Sequence, residues 1–130
     1  MIIGPKMYIA TADSSREGST RLHVDVTCAV NILCWTSAGS VAPAAEWHIF
    51  EPQDLDRLRA YLRSKGVSSD DVDPVHAQQT YLTEAMLAEL RVLGVRPYII
   101  KQCLGDAVFI PAGAAHQVRS LSVYGCRLLN

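Results

Sequence analysis

Residues 105–116 read G-D-A-V-F-I-P-A-G-A-A-H, and this stretch decides the fold class. The run at 107–110 predicts a short strand, and the P-A-G that follows predicts a tight turn. A second strand is predicted at 116–122, so the two strands form a hairpin. A hairpin of this kind can carry His116 back over the mouth of a β barrel. The stretch therefore predicts an antiparallel β architecture with a histidine at its open end.

The segment 18–26, G-S-T-R-L-H-V-D-V, holds a second distinctive pair of side chains. Leu22, Val24 and Val26 form one apolar face of a predicted strand. Because side chains alternate across a strand, His23 and Asp25 share the opposite face. The imidazole and the carboxylate then point in the same direction, either toward water or toward a common ligand.

A His-x-Asp pair can supply two ligands of a facial triad, in which two histidines and one carboxylate bind one side of an iron ion. The pair is a weak signal by itself, and the third ligand must come from a distant strand. His116 is the best candidate because its hairpin returns to the barrel mouth. His48 lies beside Trp47 in an apolar strand and is expected to be packed or at the rim, and His76 lies in a loop and is expected to be solvated. From spacing alone, a metal site at positions 23, 25 and 116 and an ordinary surface-and-core arrangement both stay open.

The rest of the chain predicts strands on both sides of a helical insertion. The first helix begins near Pro52 and stops at Gly66, and the second covers 84–93 behind an N-cap at Thr83. Further strands are predicted at 6–10, 46–50, 98–103 and 21–35, the last as one long strand or a bent pair. The pattern predicts a single mainly β domain over 1–130, an antiparallel barrel or jelly roll with a two-helix insertion at about 52–94.

The composition argues against several classes of function. The 130 residues carry a formal net charge of −1, and 49% of them are hydrophobic, which is an ordinary globular balance. No basic footprint or DNA-binding motif stands out, so direct contact with nucleic acid is not expected. No apolar run reaches about 18 residues, so neither a membrane span nor a membrane partner is expected. Four cysteines without metal-like spacing predict a reduced protein with buried thiols.

Five motifs occur in the order seen in the Jumonji C (JmjC) domain, which the chain resembles over about residues 4–121. They are G-P-K-M-Y, G-S-T-R-L-H-V-D-V, W-H-I-F, D-P-V-H-A-Q-Q-T-Y-L and G-D-A-V-F-I-P-A-G-A-A-H-Q-V. The resemblance is closest to the hairless-like histone lysine demethylases. It implies a double-stranded β-helix (jelly-roll, cupin-like) barrel that holds Fe(II) and the cosubstrate 2-oxoglutarate. Carried over by motif, His23, Asp25 and His116 become the iron ligands, and Thr20 and Asn31 become contacts of 2-oxoglutarate.

The resemblance also implies a function, that of a dioxygenase that removes methyl groups from lysine nine of the third histone. In such chemistry an N-methyl group is hydroxylated, 2-oxoglutarate is converted to succinate, and the product loses formaldehyde. The implied partners are a methylated histone tail and chromatin-associated proteins, and the implied location is the nucleus, in transcription regulation. The acidic stretch S-S-D-D-V-D-P at 68–74 either faces such a basic tail or is a solvated loop.

The chain departs from the family pattern at its ends. After Leu121 it no longer resembles the lysine- and aspartate-bearing strand that closes the family's barrel. An incomplete barrel of about six or seven strands, truncated at both ends, is therefore expected. The cation for the distal carboxylate of 2-oxoglutarate must then come from elsewhere, with Lys6 and Arg127 as candidates beside a plain surface role. Two other functions stay open: a JmjC-like protein hydroxylase, and a non-catalytic chromatin interaction module that lacks the closing strand.

Overall fold

The structure is a computed structural model that describes residues 6–14, 18–69 and 71–129. Within these residues lie eight strands and two helices, and a short 3₁₀ turn at Pro52–Asp54 precedes the first helix. The strands are β1 (Lys6–Ala10), β2 (Thr20–His23), β3 (Ala29–Thr36), β4 (Ala45–Ile49), β5 (Tyr98–Gln102), β6 (Ala107–Ile110), β7 (His116–Ser120) and β8 (Tyr124–Leu129); the helices are α1 (Leu55–Ser64) and α2 (Glu84–Val92). Among the described residues, no helix is both long and apolar enough to cross a membrane.

The eight strands form two four-stranded antiparallel sheets. Sheet A has the order β1-β8-β3-β6, and sheet B has the order β2-β7-β4-β5. The chain passes repeatedly from one sheet to the other, which is the arrangement of an eight-stranded jelly roll. Both helices lie between β4 and β5. The predicted mainly β jelly-roll fold with a two-helix insertion is confirmed.

The last strand corrects the expected number of strands, although it carries neither the lysine nor the aspartate expected of the family's closing strand. β8 pairs with β1 on one side and with β3 on the other, so it lies in the interior of sheet A. Tyr124 and Cys126 are buried on its inner face, whereas Arg127 is exposed on its outer face. Gly125 is a weak strand former, so the strand depends on its two partners. The described residues therefore hold eight strands rather than six or seven.

The apolar run 21–35 is a bent pair of strands rather than one long strand. β2 ends at His23 in sheet B, and β3 begins at Ala29 in sheet A. A register shift between Thr20 and His23 already bends β2. The connecting residues carry Asp25 out of the ladder, and its carbonyl accepts a hydrogen bond from the N–H of Gly113 at 3.0 Å. Asp25 therefore reaches its position through a loop and not through the alternation of one strand.

Two buried clusters hold these elements together. One packs between the sheets, and the other joins the helices to β2 and the end of β4. Their large members are Leu33, Trp47, Ile110 and Val118 in the first cluster, and Leu22, Phe50, Leu58, Leu62, Leu87 and Leu90 in the second. The helix α2 begins as predicted, because Thr83 Oγ1 accepts a hydrogen bond from the N–H of Met86 at 3.3 Å. Each fully buried leucine contributes about 2 kcal/mol, so the second cluster suffices to hold the insertion on the barrel.

A buried glutamine fastens the insertion to sheet B. The Gln117 Oε1 atom accepts a hydrogen bond from the N–H of Leu82 at 2.7 Å, and its Nε2 atom donates to the Leu82 carbonyl at 3.0 Å. Nε2 also donates to His48 Nδ1 at 3.0 Å. His48 Nε2 lies 3.4 Å from Glu46 Oε1, and burial lowers the pKa of His48. His48 is therefore a packed residue, as the sequence predicts.

The acidic stretch 68–74 is tied to α1 by one of its carboxylates. Asp73 Oδ2 lies 2.8 Å from Arg59 Nε, and Asp73 Oδ1 accepts hydrogen bonds from the N–H groups of residues 75 and 76 at 2.9 and 3.2 Å. Burial raises the pKa of Asp73, but these N–H groups and the guanidinium outweigh burial and lower that pKa below its usual value. Asp71 and His76 are exposed, and Asp70 lies outside the described residues. That the stretch faces a histone tail stays a prediction.

Candidate metal centre

Two histidines from neighbouring strands of sheet B form the base of the site. β2 pairs with β7 so that His23 and His116 are direct cross-strand partners. Their ring centroids lie 4.2 Å apart, and Ile49 of β4 stands beside His116 in the same row. Cross-strand partners point to the same face of a sheet. Both imidazoles therefore face the space between the sheets, where the 105–116 hairpin is predicted to place its histidine.

Asp25 completes a cluster of three side chains, here called the His-Asp-His cluster (His23, Asp25 and His116). Asp25 Oδ2 lies 3.9 Å from His23 Nε2 and 3.6 Å from His116 Nε2. One ligand atom from each residue lies within 4.8 Å of the others. In the part of the chain that the structure describes, this is the one cluster of His, Cys, Asp or Glu side chains with ligand spacing. The structure thus brings together the three residues that the sequence predicts.

Backbone hydrogen bonds leave the Nε2 atom of each imidazole free. His23 Nδ1 lies 2.9 Å from the carbonyl oxygen of Arg21. His116 Nδ1 lies 2.9 Å from the carbonyl oxygen of Ala114. A carbonyl oxygen only accepts, so each neutral ring carries its proton on Nδ1 and donates. The Nε2 lone pairs then face Asp25, and a backbone carbonyl that fixes the tautomer is typical of metal-binding histidines.

The surroundings of His116 favour its neutral form. Its side chain is 4% exposed, and burial lowers its pKa. The neighbouring His23 also lowers that pKa, against the opposing effects of the Ala114 carbonyl and the Asp25 carboxylate. The indole of Trp47 stacks on the His116 ring, with centroids 6.1 Å apart and an interplanar angle of 25°. A neutral, clamped imidazole is the form of histidine that binds metals.

The donor set fits a divalent ion of the iron type. Two imidazole nitrogens and one carboxylate oxygen on one side are the facial set of non-haem iron oxygenases. In an octahedral site with bonds of about 2.1 Å, neighbouring donor atoms lie about 3 Å apart. The observed separations of 3.6 and 3.9 Å are less than an ångström wider. The His-Asp-His cluster can therefore hold a metal ion after small side-chain movements.

A cleft of about 920 Å³ lies between the sheets, and the His-Asp-His cluster is part of its lining. Thr20 lines the cleft from sheet B and is exposed, whereas Asn31 lines it from sheet A and is buried. The volume is in the range of small-molecule sites. The two residues predicted to contact 2-oxoglutarate therefore share the cleft with the cluster, and the contact itself stays a prediction.

Of the two candidate cations, Lys6 faces the cleft and Arg127 does not. Lys6 lines the cleft, and its register partner Leu128 is in turn the partner of Asn31. These three residues form one row on the inner face of sheet A. Arg127 is exposed on the outer face, opposite Met7. Lys6 is therefore the candidate that can meet an anion in the cleft.

The sequence analysis missed Gln102, a buried polar residue that joins Trp47 to Asn31. Trp47 Nε1 donates to Gln102 Oε1 at 2.9 Å, and Gln102 Nε2 donates to Asn31 Oδ1 at 3.2 Å. Asn31 Nδ2 donates to Cys126 Sγ at 3.3 Å. The one signal in the sequence was a glutamine at the end of an apolar strand, which reads equally well as a surface residue.

Comparisons with known proteins agree with this geometry. The family described as "JmjC domain, hydroxylase" matches residues 12–124. Lysine-specific demethylase 3 of Drosophila melanogaster is 36% identical over 159 aligned positions, which cover 92% of this chain and 19% of the fly protein. Lysine-specific demethylase 3A of Homo sapiens is 33% identical over 166 positions, which cover 95% of this chain and 12% of the human protein. The chain thus spans less than about a fifth of the length of these two relatives. With most of its residues matched, the chain belongs to the JmjC domain family.

Proposed function

We propose that this chain is the catalytic domain of an Fe(II)- and 2-oxoglutarate-dependent lysine demethylase. The observation that carries the proposal is the His-Asp-His cluster, whose free Nε2 atoms and carboxylate converge on the cleft. Membership of the JmjC family and likeness to lysine-specific demethylases 3 and 3A support the same class of chemistry. Because the chain spans a small part of those relatives, its activity and substrate are proposals that rest on the likeness of this domain.

Each side of the cleft has a role in this chemistry. The cluster on sheet B would hold iron, and Thr20 would donate a hydrogen bond to the cosubstrate beside it. Asn31 and Lys6 face the cluster from sheet A, at the usual distance of about 10 Å between packed sheets. A dicarboxylate can span this gap, and Lys6 would pair with its distal carboxylate, because a half-buried anion needs a counter-charge. When bound, iron supplies oxygen activation, in which 2-oxoglutarate becomes succinate and CO₂ while an N-methyl group is hydroxylated.

The substrate that we propose is the methylated lysine nine in the tail of the third histone, within nuclear chromatin. The support is the motif resemblance to the hairless-like subgroup and the likeness to lysine-specific demethylases 3 and 3A. The hydroxylated methyl group leaves as formaldehyde, and the lysine then carries one methyl group fewer. The alternative of a non-catalytic module loses its argument, because that argument rested on a missing closing strand and β8 is present.

The test uses the chain loaded with Fe(II) under nitrogen and then supplied with oxygen, 2-oxoglutarate and a histone peptide dimethylated at lysine nine. We expect succinate and formaldehyde in equal amounts, and mass spectrometry is expected to show loss of methyl groups. Asp25→Asn is expected to abolish all three signals, and a peptide methylated at lysine four is the control for position. A stable hydroxylated peptide without formaldehyde would indicate a protein hydroxylase instead. Iron binding without succinate would contradict the proposal.

A further inference from the structure

A chain of buried hydrogen bonds connects the two walls of the cleft from behind. It starts at Trp47 on sheet B, passes through Gln102 and reaches Asn31 on sheet A. The three residues are 4%, 0% and 7% exposed, so most of their hydrogen bonds must come from within the protein. A buried indole N–H and two buried amides each need partners inside the protein. Gln102 is the middle member and touches both ends.

The orientation of the Gln102 amide is fixed by its surroundings. Its Oε1 atom faces the N–H of Trp47 at 2.9 Å. Its Nε2 atom faces three oxygens, the Asn31 carbonyl at 3.1 Å, Asn31 Oδ1 at 3.2 Å and the Asp106 carbonyl at 3.1 Å. A reversed amide would place an oxygen against three oxygens and a donor against a donor. The amide group of Gln102 therefore has one allowed direction.

This direction determines what Asn31 offers to the cleft. Because Asn31 Oδ1 accepts from Gln102, its Nδ2 group takes the other side and donates to Cys126 Sγ at 3.3 Å. The Nδ2 group carries two hydrogens, so a second one remains for an acceptor. Asn31 lines the cleft, which therefore meets an N–H donor and not a carbonyl oxygen. A donor suits a carboxylate ligand.

The same glutamine also fixes the indole of Trp47 on the opposite wall of the cleft. Trp47 keeps its indole N–H on Gln102 and lays its ring against His116 with an interplanar angle of 25°. A turn of the indole would break that hydrogen bond and leave a buried N–H unpaired, at a cost of about 1–3 kcal/mol in general. The hydrogen bond to Gln102 therefore helps to keep the Trp47 ring stacked on His116.

We propose that Gln102 is a positioning residue of this site, which turns an N–H of Asn31 toward the cleft and holds Trp47 against His116. The inference rests on the proposed function for its effect on 2-oxoglutarate. The orientations of Asn31 and Trp47 are properties of the unliganded chain, so they can be measured whether or not the cosubstrate binds.

The variant that tests this role is Gln102→Glu, which keeps the shape of the side chain. The carboxylate still accepts from Trp47 but no longer donates to Asn31, whose amide is expected to reverse and to present its oxygen to the cleft. With Mn²⁺ in place of iron, calorimetry is expected to show about 10- to 100-fold weaker binding of 2-oxoglutarate, the effect of one lost hydrogen bond to a charged group. In an Asn31→Ala background the same change is expected to cost less than about twofold, because the two residues act through one contact.

A second readout does not depend on any ligand. The side-chain NH₂ resonances of Asn31 are expected to shift in Gln102→Glu and to stay in place in Gln79→Glu, the same exchange at an exposed position. If circular dichroism shows that Gln102→Glu does not fold, Gln102→Met takes its place, with the same expected loss of affinity. Unchanged Asn31 resonances, or affinity losses that add fully in the double variant, would overturn the proposal. Failure of the wild-type chain to bind 2-oxoglutarate would overturn the proposed function, and the resonances would still decide the role of Gln102.

Discussion

Replacement of Asp25 by asparagine is expected to remove the stability that a metal ion gives to the domain and to leave the metal-free domain almost unchanged. The exchange keeps the shape of the side chain, which is 42% exposed. The free energy of unfolding without metal is therefore expected to change by about 0.5 kcal/mol or less. At a metal concentration about 100 times the dissociation constant, binding stabilises the wild-type fold by about 2.7 kcal/mol. If loss of the charged ligand weakens binding about 100-fold, about 0.4 kcal/mol of that stabilisation remains.

Thermal unfolding under nitrogen with Fe(II) measures this difference. With about 2.1 cal/mol/K of unfolding entropy per residue, a chain of 130 residues gains about 3.7 °C in Tm for each kcal/mol. The Tm of the wild-type chain is expected to rise by about 10 °C and that of Asp25→Asn by about 1.5 °C. Asp71→Asn makes the same exchange in an exposed loop and is expected to behave like the wild type. Equal shifts in Asp25→Asn and the wild type would place the metal elsewhere and refute the His-Asp-His cluster.

Three further predictions concern the cosubstrate, the insertion and the acidic stretch. Lys6→Ala is expected to weaken 2-oxoglutarate binding about 10-fold in calorimetry, whereas the exposed Lys101→Ala is not; equal effects would remove Lys6 from the site. Gln117→Leu is expected to lower the free energy of unfolding, measured in urea, by about 2 kcal/mol, because the N–H and carbonyl of Leu82 lose their partners. A loss near zero would show that these hydrogen bonds do not fasten the insertion to sheet B. Asp73→Asn is expected to lower the free energy of unfolding at neutral pH and to have no such effect in acid. The folded pKa of Asp73 lies below its unfolded pKa, so its carboxylate stabilises the fold at pH values above the unfolded pKa, and this stabilisation is lost as the pH falls through the folded pKa. A destabilisation that does not depend on pH would refute this role.

The elements that the sequence predicts well are those with a local signal. β1 and β6 have the predicted bounds, and α2 begins behind the predicted cap at Thr83. β8 has a weak local signal, and its existence depends on pairing with β1 and β3, which are distant in the sequence. A register between such segments cannot be read from either one alone.

The candidate site divides in the same way. The three side chains of the His-Asp-His cluster belong to short motifs, so they can be found in the sequence. Gln102 becomes meaningful only because the fold brings it to Asn31, 71 residues away along the chain. Asp25 shows the mixed case, since its proximity to His23 was predicted from strand alternation and is produced by a loop.

The central position of β8 has a consequence for how the protein is made. Sheet B, with both histidines, uses residues up to 120, whereas sheet A needs residues 124–129 at its centre. During synthesis, the histidine pair can therefore form before β8 has joined the opposite sheet. β1 has no partner strand until residues 124–129 are available. Such long-range pairing is slow and leaves sheet edges open in the meantime. The wall that faces the two histidines is therefore complete only when residues 124–129 have joined sheet A.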